Sequence, residues 1–139
     1  MSSYKDTILA NTAGKGMIVV LGRIYDYKVV KKELDPRLPH FVGVIDGLLF
    51  ISEETPIEFR EYPLKHEVFC NFLLKGQPGR CLEALRRELS LVPVKLKKKY
   101  IRFRTKFFEA LVKYYKESTN EEFKGEIEAS LQYLRSLSS

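Results

Sequence analysis

Between Lys95 and Glu117, apolar residues recur at Leu96, Tyr100, Phe103, Phe107, Leu111 and Tyr114, in steps of 4, 3, 4, 4 and 3. Such steps keep side chains on one face of an α-helix, so the pattern predicts a long helix. Lys95, Lys98, Arg102, Lys106, Lys113 and Lys116 form a second, basic stripe on it. The run VPVKLKKKYIRFR also alternates, which leaves a strand over residues 95–103 as the competing reading. Leu82, Leu85 and Leu89 predict a helix over 80–90. Val68, Phe69, Phe72 and Leu73 predict another over 64–75, stopped by Gly76. Phe123, Ile127, Leu131, Leu134 and Leu137 predict a last helix, and Ser118 to Glu122 offers it a capping box.

The N-terminal half has a different pattern. Val19, Leu21, Ile24, Tyr25, Tyr27 and Val29 make Met17 to Val30 one long strand or two. In FVGVIDGLLFIS, residues 41–52, Asp46-Gly47 separates two apolar runs. That dipeptide favours a two-residue hairpin turn, because both residues tolerate positive φ. One continuous buried strand with Asp46 aimed into a site is the alternative. Glu53 to Pro56 reads as a turn and 57–61 as a further strand. Residues 3–12 read as a short helix capped by Ser2 or Ser3, with Ile8 and Leu9 inward. Asn11 to Gly16 reads as a loop. Its AGKG precedes an apolar run and no Ser or Thr follows Lys15, so it lacks the phosphate-cradling P-loop pattern. Lys31 to Pro39 reads as a polar loop. Strands first and helices after predict an α+β fold, with an N-terminal, mainly antiparallel sheet packed by three to four C-terminal helices. At 139 residues the chain fits a single domain, 1–63 mainly β and 64–139 mainly α.

Charge sharpens this outline. Residues 75–117 carry 13 basic and 4 acidic side chains, while 1–74 carry 9 and 10 and 118–139 carry 2 and 4. The whole excess of +6 therefore lies in one segment, densest in KLKKKYIRFRTK at 95–106. Unpaired ammonium groups are too costly to bury, so such a run is solvated or meets an anion. These features point to DNA or RNA binding without catalysis or cofactor. The phosphate contacts would come from Arg86, Arg87, Lys95, Lys97, Lys98, Lys99, Arg102, Arg104, Lys106 and Lys113, and Tyr100 or Tyr115 would stack on unpaired bases. A protein-interaction subunit of a larger assembly, including a homodimer, whose basic face meets an acidic protein is the alternative. Apolar content of 45% argues for a globular chain, yet no run reaches the length of a membrane span. The N-terminus lacks a signal-peptide core, and two cysteines make no disulfide framework. A cytoplasmic location is the expectation. Glutamine occurs only at 77 and 132, a composition compatible with heat adaptation.

Gly43-Val44-Ile45-Asp46, followed by Pro56-Ile57-Glu58-Phe59-Arg60, resembles the core motif of the PD-(D/E)xK nucleases of the RecB-like group. The resemblance covers residues 41–62. It implies Asp46 and Glu58 as carboxylates holding Mg²⁺, which would activate water against a phosphodiester. Arg60 stands where that family has lysine, and guanidinium stays protonated where an amine can tune water. His66 and Cys70 fall four apart on a predicted helix, and a metal site would need Cys81 and His40 to complete it. Ordinary core cysteines and a surface histidine are the favoured reading. Two histidines without a nucleophile motif point to no Ser-His-Asp or Cys-His hydrolase.

Overall fold

The β-branched and aromatic residues of the N-terminal half pair into a four-stranded sheet. In the computed structural model, which describes residues 4–31 and 41–137, a short helix α1 (Tyr4–Ala10) leads into β1 (Thr12–Val20) and β2 (Arg23–Val30). Leu21 and Gly22 turn the chain between these two strands with φ of 49° and 80°. The stretch read as one strand or two is thus two. The glycines of AGKG, read as loop, lie inside β1. Gly16 faces Tyr27 across the β1–β2 pair and has a local reason to be glycine, since a methyl group there would overlap the Tyr27 phenol. The expected loop over 31–39 and the caps at Ser2 and Ser3 fall outside the described residues, apart from Lys31.

β3 (Val42–Ile45) and β4 (Leu48–Ser52) form the second hairpin. Asp46 and Gly47 make its turn with φ of 47° and 79°, as that dipeptide favours. Sheet order is β1-β2-β4-β3, with β2 and β4 parallel and the other pairs antiparallel. The chain then makes a 3₁₀ turn at Ile57–Phe59 rather than the expected strand, and enters α2 (Glu61–Val68). The helix continues through a π-helical turn, Phe69–Leu73. Helices α3 (Arg80–Ser90), α4 (Val94–Tyr114) and α5 (Glu121–Leu137) complete the α+β fold. Residues 95–103 are helix, which removes the strand alternative. Asn120, rather than Ser118, caps α5, its Oδ1 accepting the Phe123 N–H at 3.0 Å.

Each face of the sheet has its own core. Val29, Leu49 and Ile51 pack against Leu64, Val68 and Phe69 of the α2 segment. Val30 and Phe50 alternate to the other face, against Ile8 and Phe41, with Leu111 and Tyr114 at the margin. A third cluster joins Phe59 and Tyr62 to α3, α4 and α5 through Leu85, Tyr100, Phe107, Ile127, Leu131 and Leu134. Leu137, expected inside, is exposed.

Candidate functional site

Helix α4 has two opposite faces. Lys95, Lys98, Lys99, Arg102, Lys106 and Lys113 all lie exposed, and at 100° per residue they fall on one ridge. None of the six makes a salt bridge among the described residues. Glu109 shares the ridge but pairs with Arg135 of α5 at 3.4 Å. Lys97 is half-buried off the ridge. Arg86 is exposed on α3 with its guanidinium over Tyr133, whereas Arg87 pairs with Glu83 at 3.3 Å.

Three expectations about this face need correction. Arg104 is not on it; the side chain is 1% exposed, in the middle of the buried stripe. Tyr100 is fully buried and has no face free for a base. Tyr115 is half-buried and packs edge-on against Tyr114 and Phe123.

Asp46 is exposed at the β3–β4 turn, where its carbonyl accepts from Lys5 Nζ at 3.5 Å. Glu58 is exposed on the 3₁₀ turn and lines an open depression with Met17, Ile57 and Arg60. Arg60 donates to the carbonyls of Thr55 and Glu53, both at 2.9 Å, and so clamps the preceding turn. Among the described residues no group of three or more His, Cys, Asp or Glu side chains is arranged to hold a metal ion. His40 lies outside those residues.

Beneath α4 lie Glu88, which the sequence pattern did not single out, and His66, which is buried rather than the surface histidine expected. Glu88 of α3 is wholly buried and accepts from Arg104 Nε at 2.7 Å, Arg104 Nη2 at 2.9 Å and the Tyr100 hydroxyl. His66 Nδ1 lies 2.8 Å from Glu88 Oε1 without forming a directed hydrogen bond, so that contact is Coulombic. His66 Nε2 lies 3.9 Å from Cys81 Sγ, and Ser130 Oγ lies 3.5 Å from the same sulfur. Burial opposes the Glu88 charge, but Arg104 and then His66 outweigh it and hold the carboxyl below its usual range. Burial likewise opposes the imidazolium, yet Cys81 and Glu88 raise His66 to about 10. Burial keeps Arg104 from being still more basic, with Glu88 the chief group stabilising its charge.

His66, Cys81 and Arg104 of this cluster line a cleft of about 300 Å³. Cys70 and Asn71 reach the cleft from the π-helical turn, a wide turn that often accompanies function. Burial, then the Glu67 charge, pushes the Cys70 thiol up to about 12. A signal for the cluster exists in the sequence: Glu88 interrupts the Leu85–Leu89 stripe and Arg104 interrupts the Tyr100–Phe107 stripe, with opposite charge. No known protein family, curated protein or solved structure matches this chain.

Proposed function

We propose that the protein binds the phosphate backbone of a nucleic acid along the exposed ridge of α4. The observation that carries this reading is the ridge itself: six cations on one face of a helix whose opposite face is anchored in the core. From Lys95 to Lys113 the ridge runs about 27 Å at 1.5 Å per residue, long enough to follow several phosphates. With Tyr100 buried and Tyr115 packed, the ridge offers charge rather than stacking surfaces. Recognition therefore rests on phosphates and carries little sequence preference.

Contact by all six cations gives a slope of log K against log salt near −5 on duplex DNA, or about a thousandfold loss between 50 and 200 mM salt. Fluorescence anisotropy with labelled 20-mers, single- and double-stranded, measures this. The triple change K98A/R102A/K106A should reduce the slope by about 3. The proposal fails if the wild-type chain does not bind at 50 mM salt. It also fails if the triple variant binds as the wild type does. A ridge that takes an acidic protein but no nucleic acid refutes it too.

A further inference from the structure

A thiol and an imidazole line the cleft under α4, and a buried carboxylate lies behind the imidazole. Cys81 Sγ lies 3.9 Å from His66 Nε2, and His66 Nδ1 lies 2.8 Å from Glu88 Oε1. Glu88 is held in turn by both Arg104 nitrogens and by the Tyr100 hydroxyl. This is the order in which a thiol is activated: sulfur, imidazole, carboxylate. Cys81 is also the second residue of the 11-residue helix α3, next to Arg80 at the mouth of the cleft. Independently, the cleft is open to a ligand and the other walls include Val44, Phe107, Phe108, Leu111 and Phe123. A thiol kept only for packing has no need of a charged, carboxylate-backed imidazole beside it.

We propose that Cys81, His66 and Glu88 form a thiol nucleophile site that accepts the acyl group of an ester or thioester with an apolar acyl chain. The reacting form has His66 Nε2 unprotonated, and its share grows as pH rises toward 10. Sγ adds to the carbonyl carbon, forming the C–S bond, and the thiol proton passes to Nε2. Collapse breaks the bond to the leaving alkoxide or thiolate, which takes that proton and departs as alcohol or thiol. The acyl group stays on Cys81. A water molecule then adds to the acyl carbon and gives a proton to Nε2. Sγ leaves, recovering that proton, and the carboxylic acid departs. The net change is ester plus water to acid plus alcohol. Glu88 keeps its charge and stabilises the imidazolium by its proximity. The Cys81 main-chain N–H donates to Glu126 Oε1 at 3.2 Å, and Arg80, which lines the cleft and donates to the Cys70 carbonyl at 3.4 Å, would turn from that carbonyl to meet the developing oxyanion. The aromatic walls select an apolar chain over a charged one.

The test mixes the full chain with p-nitrophenyl esters from acetate to octanoate. We expect a burst of p-nitrophenolate approaching one equivalent per chain, faster with the longer acyl groups. Peptide mapping should place the acyl mass on Cys81 and leave Cys70 unlabelled. Cys81→Ala, which removes only the sulfur, should abolish the burst, and His66→Gln should slow it by about a hundredfold or more. With His66→Gln, the pH dependence of the burst rate should also change, which a merely structural histidine would not cause. If His66→Gln does not fold, the Cys81→Ala result and the map decide. The proposal is overturned by the absence of a wild-type burst, by a burst that survives Cys81→Ala, or by label on Cys70 or lysines alone.

Discussion

Replacing Glu88 by Ala removes the carboxylate that Arg104, Tyr100 and His66 share. Arg104, 1% exposed, then remains as a buried guanidinium without its partner. Breaking a buried ion pair from one side costs about 3–5 kcal/mol, because the surviving charge has lost both water and counter-charge. A chain of this length is stable by roughly 7–20 kcal/mol, so the variant should still fold. With a urea dependence of about 2 kcal/mol per molar, the midpoint should fall by roughly 1.5–2.5 M. Arg104→Met should cost a similar amount for the mirror-image reason. The double variant Glu88→Ala with Arg104→Met replaces the pair by apolar groups, and should lose less than the two single costs combined by at least about 2 kcal/mol. Urea unfolding followed by circular dichroism measures all three. A midpoint shift below about 0.5 M for Glu88→Ala, or strict additivity in the double variant, would refute the reasoning.

Proton linkage gives a second prediction. The folded pKa of His66 is about 10, above the 6.5 of a free imidazole, so its stabilisation is complete below pH about 6.5 and is lost as pH rises through 10. Between pH 6.5 and 8.5 that loss is about 2 kcal/mol, and His66→Gln should remove it; a wild-type urea midpoint that holds steady over this range contradicts the assignment. Gly16→Ala should cost about 1–3 kcal/mol by forcing a methyl group into the Tyr27 ring, read as a lower thermal midpoint; unchanged stability would show that the ring moves aside freely. Asn120→Ala should cost about 1 kcal/mol through loss of the α5 cap, whereas Ser118→Ala should leave the thermal midpoint nearly unchanged.

Local patterns made much of the fold legible. Period-three-and-four apolar steps placed α3, α4 and α5, and Asp46-Gly47 placed the β3–β4 turn, because each is decided by nearby residues. The segment 57–61 was misread as a strand. Its apolar residues, Ile57 and Phe59, fit either element, and the helical pattern of α2 begins only at Glu61. Gly16 in β1 reads as loop because its reason, the Tyr27 ring, lies on another strand. Arg104 was assigned to the solvent because charge density alone does not show which side of a helix a residue occupies. Glu88, 16 residues earlier, takes it inside. His66 and Cys81, separated by 15 residues and a π-helical turn, become neighbours only when α2 packs on α3.

That π-helical turn also limits which changes of length the chain tolerates. A π turn holds one residue more than an α turn can, so Phe69–Leu73 behaves as a single-residue insertion absorbed within a helix. Deleting any one residue there would restore regular winding with Leu74 still in phase, so the change would fall on the wide turn itself. Cys70 and Asn71 would lose the wide turn that brings them to the cleft wall, while Leu74 would keep its place in the sheet core. The exposed Gly76–Gly79 segment carries no such phase. Natural variation in length between α2 and α3 should therefore collect after residue 75, while the spacing from His66 to Leu74 stays constant.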